Sequence, residues 1–127
     1  MTAMVLGAGA FVAVERGDRA MVARLRVAER SGIELRSNSA VVAQVWRDDS
    51  GRQAVLSRLL RSVDVRPVDL ALGKDAGVLS GRAGTGDAVD ATVVAVADDG
   101  DRIATSDPDD INALVSASRR AVLVVPC

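Results

Sequence analysis

The sequence predicts a single α/β domain with a central parallel sheet of about five strands and helices on both faces. Three observations lead there. Five short apolar runs alternate with longer segments whose apolar residues recur at helical spacing. Glycine, proline and aspartate punctuate nearly every junction between them. The chain of 127 residues has no linker long enough to divide it, so residues 1–127 form one domain. Strands alternating with helices imply right-handed crossovers, and ligands of such sheets gather beyond the carboxyl ends of the strands.

Each element follows from local chemistry. Met4–Leu6 is a buried strand, broken by Gly7 and Gly9 at a tight turn. Ala10–Glu15 is a helical turn closed by Gly17. Asp18 caps a helix to about Ser31 that aligns Met21, Val22, Leu25 and Ala28 on one face. Gly32 stops it, and Ile33–Arg36 is a brief strand. Asn38 or Ser39 opens a helix through Val41, Val42, Val45 and Trp46. Residues 48–51 interrupt the helical pattern, and Arg52–Leu60 resumes it with Val55, Leu56, Leu59 and Leu60 facing inward. Val63–Arg66 is the third strand, turned by Pro67. A helix over Val68–Arg82 is weakened by Gly73 and Gly77. After the loop at 84–86, Asp87 caps an apolar helix, Ala88–Ala97. Arg102–Thr105 is a strand, Asp107-Pro108 opens the helix Asp109–Ala117, and Ala121–Val125 is the last strand. The count is five strands and about seven helices.

Absences narrow the chemistry. The chain has no histidine, which rules out a Ser-His-Asp triad, an imidazole acid or base and the usual zinc sites. Its single cysteine, Cys127, has no partner for a disulfide, which suits a reducing cytoplasm. Nothing obvious would lower that thiol's pKa and make it a nucleophile. No stretch reaches the roughly 20 apolar residues of a membrane span, and no signal-like segment opens the chain. A glycine fingerprint for a dinucleotide fails, because Val12 stands where the third glycine belongs. Thr85 and Ser106 have no evident base and read as caps or water-positioning hydroxyls.

The net charge of −1 conceals a polarised layout. Residues 16–66 carry eleven arginines, whereas residues 87–110 carry eight aspartates and one arginine. A basic half beside an acidic pocket suits a polyanion held by arginine and presented to a metal. The acids form two sets at helix starts: Asp87 with Asp90, and Asp107 with Asp109 and Asp110. Clustered carboxylates without histidine favour a hard divalent cation. Capping alone accounts for one acid at each start, and Asp-Pro-Asp-Asp is a good helix opening on those grounds. Asp90 is harder to dismiss, since it heads an otherwise apolar helix and needs a partner there.

Four segments carry a family resemblance. Residues 4–19 (Met-Val-Leu-Gly-Ala-Gly-Ala-Phe-Val-Ala-Val-Glu-Arg-Gly-Asp-Arg), Val41–Arg47, Asp87–Ala91 and Thr105–Asp110 together resemble a PIN domain of the actinobacterial type. The resemblance covers essentially the whole chain, in order and at similar spacing. PIN domains of this size are mostly VapC-type toxins of toxin–antitoxin pairs, Mg²⁺- or Mn²⁺-dependent ribonucleases silenced by an antitoxin.

The resemblance implies a PIN-like domain, a cognate antitoxin, an RNA substrate, a homodimer and a cytoplasmic setting without membrane. It places metal-binding and catalytic roles at Asp90 and Asp107, with Asp87 and Asp110 supporting. The family's first acid falls at Gly7, which has no side chain. Its second falls at Gln44, which keeps an oxygen but no charge. Carboxylate count governs affinity for hard cations, so the chain as written is expected to be a weak or inactive nuclease. Arg47 and Arg52 are candidates for phosphate contacts. The competing expectation is a non-catalytic module that keeps the dimer and the antitoxin-binding surface.

Overall fold

Short apolar runs bury best as strands flanked on both sides, and the order of the sheet shows which run is innermost. The computed structural model describes residues 2–47 and 53–127. In chain order the elements are β1 (Ala3–Leu6), α1 (Ala8–Glu15), α2 (Arg19–Arg30), β2 (Glu34–Asn38), α3 (Ser39–Val45), α4 (Ala54–Arg61), β3 (Val63–Arg66), α5 (Leu70–Ala83), α6 (Ala88–Ala95), β4 (Arg102–Thr105), α7 (Pro108–Ser118) and β5 (Leu123–Pro126). They form one five-stranded sheet in the order β3-β2-β1-β4-β5, and every pairing is parallel. The expected α/β architecture is therefore present.

All four residues of β1 are buried, because it is the central strand and has helices above and below. From β1 the chain steps outward through β2 to β3, then crosses back to β4 and continues to β5. Right-handed crossovers then put the helices of the two halves on opposite faces. On one face α1 packs on β4 and against α2 and α4, while α2 covers β2. On the other, α5, α6 and α7 pack together, with α7 against β5. Phe11, the largest fully buried side chain, joins Leu6, Leu35, Leu56, Ile103, Ile111 and Leu114 in the core. The direction of winding reverses between β1 and β4, so the crevice beyond Leu6 and Thr105 is where this topology gathers ligands.

Several boundaries differ from expectation for tertiary reasons. α1 begins at Ala8, with Gly9 inside it rather than in a turn. A Cβ at Gly9 would lie on top of the Ser106 side chain, so this glycine answers to close helix–loop packing. α5 starts two residues later than the pattern indicated, capped by Asp69, whose carboxylate accepts from the Leu72 amide. Trp46 lies beyond the end of α3 and is partly exposed. Of the four α4 residues read as inward, Leu56 is fully buried and Val55 faces solvent, because α4 sits near an edge of the sheet. β5 starts two residues later than expected, ends one later, and is a partly exposed edge strand. The interruption at residues 48–51 falls outside the described residues.

One buried feature gave no sequence signal. Arg36 of β2 and Asp101, just before β4, form an ion pair of 3.1 Å, and both side chains are almost fully enclosed. The other Asp101 oxygen accepts from the Ala3 amide at 2.8 Å, and the first also accepts from the Asp98 amide. Arg36 further donates to the Val96 carbonyl and to Glu34. Removing one member of a buried pair leaves an uncompensated charge, at a typical cost of about 3–5 kcal/mol. Asp101→Ala is expected to lose that much in urea denaturation. Asp64→Ala, which breaks the exposed Asp64–Arg66 pair at 3.2 Å, is expected to lose less than about 1 kcal/mol.

Candidate metal centre

Two helices begin where the sheet's carboxyl ends open, and each brings acid to that point. Asp87 is the N-cap of α6, and its carboxylate accepts from the Asp90 amide at 3.0 Å. Asp90 follows in the first turn. Asp107 occupies the N-cap of α7, yet its side chain accepts no backbone amide, contrary to the capping expected of Asp-Pro-Asp-Asp. Its backbone is held instead by the Thr105 hydroxyl, which accepts from the Asp107 amide at 2.9 Å. The Asp107 carboxylate is thereby left facing its neighbours.

Asp90, Asp107 and Asp110 converge: each offers a carboxylate oxygen, and the three oxygens lie within 4.8 Å of one another. Asp90 is half-buried, but its Oδ2 is enclosed and has no hydrogen-bond partner. An orphaned carboxylate oxygen is costly, and a cation is the natural group to relieve it. Three oxygen donors with no nitrogen or sulfur ligand make the donor set of a hard divalent cation. Burial, followed by the charges of Asp87, Asp107 and Asp110, pushes the Asp90 pKa up to about 6. Asp107 is also raised, chiefly by its hydrogen bond with Asp110.

The remaining candidates lie outside this trio. Gly7 is the residue between β1 and α1, in an extended conformation with φ −80° and ψ 174° that any residue adopts. It donates its amide to the Ala104 carbonyl at 3.0 Å, which sets it beside β4, the strand that leads to Asp107. A Cβ there would stand 3.3 Å from the same carbonyl, tight but relieved by a shift of tenths of an ångström. Gln44 is exposed on α3 and makes no side-chain hydrogen bond among the described residues. Arg47 folds back on the end of α3, donating to the Ala43 and Trp46 carbonyls at 2.8 Å each. Arg52 lies outside the described residues. Asp109 is exposed and stands apart from the converging trio.

Sequence reasoning missed the polar link beneath the site. Asn38 is fully buried; its carbonyl oxygen accepts from the Ala40 and Val41 amides, capping α3. Its amide donates to the Thr92 hydroxyl at 3.1 Å, and that hydroxyl donates to the Val89 carbonyl in the first turn of α6. The start of α3 is thus tied to the helix that carries Asp90. The only advance signal was Asn38 as a cap; its partner lies 54 residues away.

The site defines a class: an α/β domain with a carboxylate cluster where the winding of its sheet reverses. Among solved structures, the chain superposes on one from VapBC2 of Rickettsia felis, crystallised bound to a DNA fragment from its promoter. That match has a TM-score of 0.71 at 12% identity and covers 99% of each chain. A chain of FitAB bound to an IR36 DNA fragment matches with a TM-score of 0.63 at 15% identity, over 97% of this chain and 94% of that one. The fold is therefore PIN-like over its whole length. No family model matches the sequence, and no curated protein is significantly similar to it. No helix among the described residues is long and apolar enough to cross a membrane.

A raised carboxylate pKa has a definite consequence for stability. The folded protein holds the Asp90 proton up to about pH 6, whereas the unfolded chain releases it near 3.8, so stability falls as pH rises across that window and stays lowered above it. Asp90→Asn is therefore expected to raise the melting temperature at pH 7.5 and to change it little at pH 4. Solvent screens this half-exposed group, so the gain is on the order of 1 kcal/mol. Equal shifts at both pH values would contradict the raised pKa of Asp90.

Proposed function

We propose that this chain is the toxin-type member of a toxin–antitoxin pair, a cytoplasmic PIN-fold ribonuclease that uses Mg²⁺ or Mn²⁺ at Asp90, Asp107 and Asp110 and is weakened by Gly7. The observation that carries the reading is the convergence of three carboxylates on an enclosed, unpartnered Asp90 oxygen. The PIN-like fold and its likeness to chains from VapBC2 and FitAB support the toxin–antitoxin setting. The cognate antitoxin, the homodimer and RNA as the substrate follow from the family resemblance.

The cation, when bound, supplies a Lewis acid for the phosphoryl oxygen and an acidified water as nucleophile. The chain's own residues position that chemistry. Asp90 and Asp107 act as direct ligands, and Asp110 lies within their reach. Asp87 holds the first turn of α6 and adds negative charge beside Asp90. The amino ends of α6 and α7 both meet the cluster, and their dipoles favour the negative charge of carboxylates and of an incoming phosphate. Gln44 acts as a neutral hydrogen-bonding group. Arg47 would forfeit two hydrogen bonds to reach a phosphate, which argues against that role.

Gly7 favours a second reading, a non-catalytic module that keeps the surface for an antitoxin and for a second copy. The two readings separate on one comparison: Mn²⁺-dependent cleavage of a mixed structured RNA by the chain as written and by Gly7→Asp. Asp at this position would also cap α1, which has no side-chain cap now. The substituted chain is expected to cut at least about tenfold faster, the equivalent of roughly 1.4 kcal/mol in the barrier. Equal cleavage by both would make the missing carboxylate dispensable. Cleavage by neither would hand the lead to the binding module.

A further inference from the structure

The arginines of the basic half do not collect around the carboxylates. Two clefts meet at Gly17 on the α1–α2 face. The first, of about 620 Å³, lies between α1 and Ser106, the residue before Asp107, and reaches Arg16. The second, of about 560 Å³, runs along α2 beneath Arg19, Arg26 and Arg30, with Val22 and Val27 in its floor. Among the described residues, none of these four guanidiniums makes an ion pair or side-chain hydrogen bond, whereas Arg36, Arg66 and Arg120 are each paired.

Nearby acids form no ion pair with the row: Asp18 caps α2 and also lines the first cleft, and Glu15 accepts from the Gln53 side-chain amide. Glu29 lines a different cleft, with Arg61 and Asp64. Arg26 and Arg30 are one helical turn apart, about 6 Å along the axis, and so share a face. The result is a cationic track that begins at Arg16, in the cleft that Ser106 also lines, and continues along α2 through Arg19, Arg26 and Arg30. A planar guanidinium fork suits phosphate oxygens, and the track offers no aromatic ring on which a base could stack.

We propose that this track holds the phosphate backbone of a single-stranded RNA on one side of the scissile bond, with Arg16, Arg19, Arg26 and Arg30 as the contacts. The inference rests on the nuclease reading of the carboxylate site. Recognition of this kind is independent of base sequence and strongly dependent on salt. Every guanidinium in contact contributes to the salt slope.

The test is fluorescence anisotropy of a fluorescein-labelled 12-nucleotide RNA in EDTA, so that binding is read without turnover. The full chain is compared with Arg26→Gln/Arg30→Gln and with the off-track pair Arg58→Gln/Arg61→Gln, each checked for an unchanged melting temperature. The on-track pair is expected to weaken binding about tenfold and to reduce the slope of log K against log salt by about 1.4, at roughly 0.7 per single-strand phosphate. The off-track pair is expected to leave that slope unchanged. Equal losses in both pairs, or none in either, would overturn the track. Retained RNA binding with lost binding of a fluorescent polyglutamate would give the surface to an acidic protein partner and overturn the RNA assignment. Track-dependent RNA binding alongside a Gly7→Asp chain that never cleaves would sink the nuclease reading and leave the track standing.

Discussion

The buried Arg36–Asp101 pair fixes the frame on which everything else hangs. One guanidinium gathers Glu34, Asp98 and Asp101, while the second Asp101 oxygen takes the first amide of β1. Three neighbouring strands are thereby tied at their amino ends: β1 through Ala3, β2 through Arg36, and β4 through the turn before it. Such a pair yields little net stability, because desolvation offsets most of the Coulomb attraction, but it penalises any other register heavily. With the amino ends held, the carboxyl ends of β1 and β4 come level. Leu6 pairs with Ala104, so Gly7 and the run from Thr105 to Asp107 open on the same crevice.

The two ends of the sheet are electrostatic opposites. At the amino end, three carboxylates surround an arginine. At the carboxyl end, three carboxylates surround one another; burial first, and then the neighbouring charges, raise the pKa of Asp90, while the hydrogen bond with Asp110 leads the rise at Asp107. A chain selected only for stability would place a cation there or thin out the acids. Instead it leaves Asp107 off the backbone amides of α7, forgoing a cap worth about 1 kcal/mol, and keeps an enclosed Asp90 oxygen without a partner. Both costs fall at one place, beside the start of two helices. Their coincidence is better accounted for by a ligand than by two separate accidents of packing.

Much of this was legible in the sequence wherever a local rule decides the outcome. Asp18 and Asp87 cap α2 and α6 as their positions in the sequence imply, because N-capping involves residues within one turn. The five strands were legible because each apolar run is bounded by turn chemistry. The failures share a cause: the deciding partner is far away in the chain. Gly9 is read as a turn until Ser106 is seen against it. Arg36 looks like the polar end of a strand, since its partner Asp101 is 65 residues on. Val55 fits a helical stripe, but it falls on the solvent face of α4, near the edge of the sheet. At the site, the convergence of Asp90 and Asp107 was legible because both open helices beside the sheet's carboxyl edge. The significance of Gly7 and Gln44 came only from the resemblance, because a missing carboxylate leaves no trace in composition or periodicity.

Gly7 also shows that the scaffold and the chemistry it carries can part company. Its backbone is ordinary extended chain, and the contact that a side chain would make with the Ala104 carbonyl is tight rather than prohibitive. Nothing in the fold requires glycine at this position, whereas Gly9, two residues on, is required by the packing of α1 on Ser106. The carboxylate cluster nearby does not depend on Gly7 for its geometry, since α6 and α7 position it and the Asn38–Thr92 link steadies the start of α6. A carboxylate at position 7, or its absence, therefore changes the charge of the crevice without moving Asp90, Asp107 and Asp110.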